Sequence, residues 1–249
     1  MNNCAKKITM DQIITENLNK IRLSLENGRD FQLDYFDFHC DRYGYLLKMI
    51  NGLSGDHRGN VLDLGANPYH LSTCLKNLGF NVQAINYDFG PIEQEAEKNG
   101  IAIKTADLAC GKIPVAGNLF DYVLLSETLE HFNFHPGEII NEIHRVLKPG
   151  GKVIITTPNL TRLNNRIKLF FGKSIHQSLE KTNSIEIHHR EFTGEELISL
   201  LKLANFRIIL FNYIDFNYPV NNIFIKLINR FFGLILRFLK PNIAVVAEK

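Results

Sequence analysis

From residue 61 onward, short apolar runs alternate with amphipathic stretches of helical period. That alternation leaves little room for anything but a parallel sheet of βαβ units with helices on both faces. Strands are expected at 61–64, 82–85, 101–106, 120–125 and 153–156. Two more, at 207–213 and 243–247, are separated by an apolar helix, so that the final pair can run antiparallel. The first strand opens the run VLDLGANPY at 61–69, which ends in a tight turn and passes into a helix. In a doubly wound α/β protein such a turn brings backbone close to a nucleotide-like ligand, and the following helix offers free N–H groups.

The helices between the strands carry their own punctuation. Leu71, Cys74, Leu75 and Leu78 form one buried stripe, closed by Gly79. The next helix opens near Pro91, with Glu93 and Glu95 in its first turn, where acids suit the dipole. Pro136 opens a helix with Ile139, Ile140, Ile143, Val146 and Leu147 on one face, and Lys148-Pro149-Gly150-Gly151 is expected to stop it. Thr193 and Glu196 have the spacing of a capping box ahead of Leu197, Leu200, Leu201 and Ala204.

Ahead of the alternation, Ile13, Ile14, Leu18, Ile21 and Leu25, then Tyr45, Leu46, Met49 and Ile50, form two helical stripes. The chain therefore divides into a helical N-terminal extension, 1–55, and a main domain, 56–249. Within the main domain, 158–191 is polar and basic without an apolar period. A stretch of that length after a strand's carboxyl end is the place for a lid over a substrate. The segment 220–240 is an apolar helix, and over 223–239 Lys226, Arg230 and Arg237 align on one narrow stripe. It packs as a core or dimer helix on the first reading and rests on a membrane surface on the second.

The totals exclude several classes. The formal charge of +2 over 249 residues gives no support to nucleic-acid binding. The four cysteines include no C-x-x-C pair, which argues against a disulfide framework or zinc ribbon. With no apolar leader near residue 1, a reducing cytosol is the expected location, with the second reading of 223–239 placing the protein at the inner membrane face.

Gly65 can take the positive φ that the turn needs and admits a ligand close to the backbone. A dinucleotide fingerprint would place glycines where Asn67 and His70 stand, so a nicotinamide-dependent oxidoreductase is a poor match. Asn67 tolerates the left-handed region better than most side chains. Pro68 lacks a donor, which weakens a phosphate cradle but not contact with a zwitterionic ligand. Asn86 ends the second strand where a ribose-binding acid would stand, with Asp88 nearby. Asp107 ends the third strand and can accept an adenine amino proton, with the Leu108 backbone as the complementary donor.

These residues carry a resemblance. VLDLGA, the Asp107-Leu108 pair, FDYVLLSETLEHF and IHRVLKPGGKVIITTPN together resemble S-adenosylmethionine-dependent methyltransferases of the Rossmann-like class. The resemblance implies an α/β fold with a doubly wound sheet, mostly parallel with an antiparallel last strand. It implies that Asp63, Gly65 and Asn67, with Leu64 and Ala66 in the same turn, face the methionine and ribose of S-adenosylmethionine. Asn86 would then meet the ribose, Asp107 and Leu108 the adenine, and Ser126 the sulfonium. Asn67 in place of a second glycine and Asn86 in place of an acid are departures. They motivate a rival in which the chain is a catalytically inactive regulatory or scaffold protein that still holds the cofactor.

Methyl transfer to oxygen needs a proton acceptor. His131, His188 and His189 are the candidates, with His131 and His189 ranked first. The run Ser126-Glu127-Thr128-Leu129 lacks the motif of enzymes that methylate exocyclic amines. The polar 158–191 insert and the TPN and HREFT segments resemble enzymes of surface-polysaccharide synthesis. The expected acceptor is a sugar, a glycan precursor or another small molecule. His131 and His135 have the spacing of helical metal ligands, but Pro136 and the absence of a glutamate between them point to no metal. The oligomeric state is left open.

Overall fold

The computed structural model describes residues 9–26, 30–87, 96–176, 188–216 and 236–249. Two antiparallel helices come first, α1 (Met10–Glu26) and α2 (Asp30–Ser54). The α/β body follows as β1 (Asn60–Leu64), α3 (His70–Asn77), β2 (Asn81–Asn86), β3 (Ala102–Thr105), β4 (Phe120–Ser126), α4 (Gly137–Val146), β5 (Leu147–Pro158), α5 (Leu163–Phe170), α6 (Gly194–Leu203), β6 (Arg207–Ile214) and β7 (Asn242–Glu248). The strands form one sheet in the order β3-β2-β1-β4-β5-β7-β6. Its first five members are parallel, and β7 pairs antiparallel with both β5 and β6. This is the doubly wound, mostly parallel sheet that the alternation predicts, with the antiparallel end that the family resemblance implies.

Period-two burial sorts the strand residues between two cores. Val61, Tyr122, Leu124 and Ile154 face α1, α2 and α3, where Ile14, Leu46, Leu47 and Leu75 complete the cluster. Leu62, Leu64, Val123, Leu125, Val153 and Ile155 face the other way, onto Ile139, Ile143 and Val146 of α4 and Leu197 and Leu201 of α6. The N-terminal helices thus share a core with the sheet rather than building one of their own. Ile13, expected in the stripe of α1, is 37% exposed. Asn17, one helical turn on from it, is buried instead and donates to the Cys74 carbonyl at 2.7 Å.

Several expected boundaries move. α4 ends at Val146, one residue before Leu147, which already belongs to β5. The Lys148–Gly151 run is the irregular start of that strand, tied down where Lys148 Nζ meets Asp121 Oδ2 at 2.8 Å. β3 is shorter than 101–106. Thr193 and Glu196 make the capping box in both directions. Asp88, Pro91, Glu93 and Glu95, and most of the apolar 223–239 stretch, lie outside the described residues. Among the described residues no helix is long and apolar enough to cross a membrane.

Strand order reverses at β1, with β2 on one side and β4 on the other. In an open parallel sheet the crevice beyond the carboxyl ends at such a reversal is where ligands bind.

Candidate functional site

A cavity of about 840 Å³ occupies that crevice. Its floor comes from strand ends: Gly65 and Ala66 after β1, Asn86 at the end of β2, Ser126 and Glu127 at the end of β4, and Pro158 at the end of β5. Tyr35, Phe38, His39 and Arg42 of α2 form one wall, and Arg162, Lys168 and His176 stand at the opposite rim. That size and mixed lining are those of a small-molecule site.

The β1 turn is built around Gly65, which sits at φ +72°. A Cβ there would fall 2.5 Å from Thr128 Oγ1, so only glycine lets the β1 and β4 loops touch. Thr128 Oγ1 in turn donates to the Leu64 carbonyl at 3.3 Å. Asn67 does not take the left-handed conformation; Tyr69 does, at φ 68°, and the Asn67–Pro68 peptide is cis. The left-handed residue is thus two positions nearer the helix, and the side-chain oxygen of Asn67 is buried with no protein partner. Asn86 is likewise buried and its Nδ2 unmatched, although its backbone pairs with Thr105 of β3.

Asp63 lies beneath the cavity on the α3 side. Its Oδ2 accepts from Ser72 Oγ at 2.6 Å. Burial pushes its carboxyl up to about 6, against the opposing pull of Ser72 and the positive charge of Arg42. His39 and His70 are held neutral by burial, with pKa values lowered to about 3 and about 4. His70 packs edge-on to Phe36 at 5.2 Å.

The β4 side is the most polar. After Ser126, whose Oγ is 2.9 Å from Thr156 Oγ1, Glu127 adopts φ 50° and a single helical turn follows over Leu129–His131. Glu130 is completely buried, its Oε2 accepting from Thr157 Oγ1 at 3.0 Å and its Oε1 without a protein partner. Burial and the neighbouring Glu127 carboxylate push Glu130 well above the usual carboxylate range, and burial raises Glu127 as well. The Glu130 carbonyl accepts the amides of His189 and Arg190, at 2.8 and 3.2 Å. Those bonds bring His188 against His131, ring centroids 4.9 Å apart. Glu191 closes the group. Burial alone would raise its carboxyl, but His188 and the bidentate Arg162 guanidinium, at 2.5 and 2.8 Å, hold it down near a pKa of about 2.

The expected site residues therefore divide. Asp63, Gly65, Ala66, Asn67, Asn86, Ser126 and His131 line one cavity. Leu64 is buried below it in the second core. Asp107 is exposed and Leu108 starts a short helical turn whose side chain joins that same core, so neither lines the cavity wall. His189 is exposed and off the cavity, and His188 takes the place expected for it, because the paired amides of His189 and Arg190 turn the intervening backbone toward Glu130. His135 is exposed and accepts from the Gly137 amide, away from His131. Arg42, Tyr35, Glu127 and Glu130 were not foreseen as site residues. The run Glu127-x-x-Glu130-His131 was the available signal for the last two, and nothing local marks the α2 residues.

Unmatched amide groups on Asn67 and Asn86, a glycine that clears the way between two loops, and a deep mixed cavity at the sheet's reversal suit S-adenosylmethionine. The Asn86 amide can donate to a ribose oxygen where an acid would accept, so this departure preserves a hydrogen bond of opposite polarity.

Comparison with known proteins agrees. A ubiquinone biosynthesis O-methyltransferase of Pseudomonas aeruginosa is 32% identical over 115 residues, covering 43% of this chain and 47% of that protein. A malonyl-[acyl-carrier protein] O-methyltransferase of Pseudescherichia vulneris is 24% identical over 183 residues, covering 73% and 67%. The chain thus spans about half the length of the first of these relatives. The solved structure of a SAM-dependent methyltransferase from Archaeoglobus fulgidus shares the fold, with a TM-score of 0.61, 18% identity and coverage of 89% of this chain and 100% of that one. The family model for a methyltransferase domain matches residues 38–210, and the chain belongs to that family.

Proposed function

We propose that the protein transfers a methyl group from S-adenosylmethionine to an oxygen of a small hydroxylated molecule. One observation carries the reading: the Gly65 turn and the Glu127–His131 turn face the same cavity from adjacent strands, so a donor on one and an acceptor on the other can be aligned. The cofactor supplies an electrophilic methyl on a sulfonium, and its displacement needs alignment and dryness more than covalent help. The β1 turn and the Asn86 amide orient the donor. The α2 wall and the rim at Arg162 exclude water. An oxygen nucleophile must also lose a proton, and the titratable groups at that position are His131 and His188 over Glu130, rather than His131 and His189.

The polar rim of Arg162, Lys168 and His176 favours a sugar or glycan precursor as the acceptor. The aromatic wall of Tyr35 and Phe38 favours a second reading, a phenolic ring. Cytosolic placement with peripheral membrane contact through 223–239 remains part of the proposal. Calorimetry with S-adenosylhomocysteine tests the cofactor half. No heat at saturating ligand sinks it, and binding without turnover on any acceptor favours the inactive scaffold. Radiolabelled methyl transfer to nucleotide sugars and to catechols then separates the two acceptor readings.

A further inference from the structure

We propose that Glu130, His131 and His188, with Glu127 beside them, bind a divalent transition-series cation that holds the acceptor oxygen. The proposal rests on the O-methyltransferase reading of this cavity and names the chemistry of its acceptor end. One ligand atom from each of Glu130, His131 and His188 lies within 4.8 Å of the others, close enough to share an ion. The cluster stands on the cavity wall, at the end of β4.

Three features of the surroundings point to a cation. Glu130 Oε1 and Glu127 Oε1 are both buried with no protein partner, although their other oxygens accept from Thr157 and Asn242. Two adjacent carboxylates withdrawn from water are costly unless a charge of opposite sign compensates them. Arg42 is the cation felt by both, but its single charge is also shared with Asp63.

The third feature concerns His188. Metal-bound histidines commonly donate their second ring nitrogen to a carboxylate, which fixes the ring and the tautomer. Here Nδ1 of His188 lies 3.6 Å from Glu191 Oε1, and Glu191 is itself clamped by Arg162 and Asn165. With Nδ1 directed to Glu191, Nε2 keeps its lone pair for an ion. Two imidazoles and a carboxylate suit Mn²⁺, Fe²⁺ or Zn²⁺ better than Mg²⁺ or Ca²⁺.

A cation bound by so few protein ligands keeps open positions for substrate. It lowers the pKa of a coordinated hydroxyl, as it does for water, so the acceptor sheds its proton to solvent before transfer. Transfer then forms the O–C bond as the C–S bond breaks, and the electron pair leaves on sulfur. The acceptor class follows: a hydroxyl with a second oxygen on the adjacent carbon, able to chelate, such as a vicinal diol or a catechol. Under this proposal His131 and His188 are ligands, and neither is a general base.

The test uses the full chain without S-adenosylmethionine. Metal-free protein is titrated with MnCl₂ and, separately, ZnCl₂, followed by calorimetry and by the Mn²⁺ paramagnetic resonance signal. One equivalent is expected to bind. His188→Ala and Glu130→Gln should each weaken binding at least about tenfold, and Glu191→Gln about tenfold through loss of ring orientation. S-adenosylhomocysteine affinity and thermal midpoint are recorded on every variant. His188 is partly exposed where Glu130 is buried, so His188→Ala remains informative if Glu130→Gln misfolds. No uptake of either ion, or uptake unchanged in folded His188→Ala, overturns the proposal while leaving the methyltransferase reading intact. Metal binding that depends on His188, in a protein deaf to S-adenosylhomocysteine, supports the site and removes that reading instead.

Discussion

Gly65 and Thr128 meet where the β1 and β4 loops cross, and the contact leaves no room for a methyl group. Gly65→Ala is expected to cost about 1–2 kcal/mol from the positive φ alone, with the collision added. In calorimetry it should also reduce S-adenosylhomocysteine binding by more than tenfold, since the loop must move; unchanged affinity would show that the turn does not form the donor site. Asp63 and His70 give a second expectation, about pH. Asp63 has a folded pKa of about 6 against 3.8, so the folded state holds the extra proton. Its contribution is present in full below 3.8 and is lost as pH rises through 6. His70 has a folded pKa of about 4 against 6.5. Its contribution is present above 6.5 and is lost as pH falls through 4. Each effect is on the order of 3 kcal/mol, and over the shared window they oppose each other. Asp63→Asn should therefore leave stability rising with pH between 4 and 6.5 relative to wild type, and His70→Phe should leave it falling. Parallel curves for both variants in pH-dependent urea melts would contradict the assignment.

Among the elements, α6 shows how a short helix is fixed by its first turn. Thr193 accepts from the Glu196 amide at 3.1 Å while Glu196 Oε2 accepts from the Thr193 amide at 2.9 Å. Thr193→Ala should lower stability by about 1 kcal/mol in denaturant titration, without touching ligand affinity. That box was legible because capping is a local matter of two side chains and two amides. The strands were legible for the same reason, since runs such as Val153 to Ile155 have a composition only a buried sheet interior accommodates. The pairing of His188 with His131 was not legible. It depends on the Glu130 carbonyl capturing two amides from a segment far along the chain, and a local pattern carries no trace of such a bond. The same holds for Arg42 and Tyr35, which read as ordinary helix residues until α2 is laid across the β1 turn.

At the scale of the molecule, a ligand held between the two halves of the sheet should raise thermal stability. S-adenosylhomocysteine at a hundredfold its dissociation constant is expected to add about 2.7 kcal/mol, or roughly 5–10 °C in the melting midpoint for a domain of this size. A midpoint unmoved by the ligand in differential scanning fluorimetry would mean that the crevice stays empty. The parallel body was readable from alternation, while the reversed direction of the last strand came from the family resemblance, the residues themselves allowing only that the final pair can run antiparallel. Position within the sheet was a different matter, because sequence order does not say that β7 slips in between β5 and β6. That placement has a consequence for biosynthesis. The hydrogen-bonding rim of β5 and the whole inner edge of β6 must wait, bare, on the ribosome until residues 242–248 have emerged to zip them together. Until β7 is in place the nascent sheet is an unfinished template, open to strand addition by a neighbour.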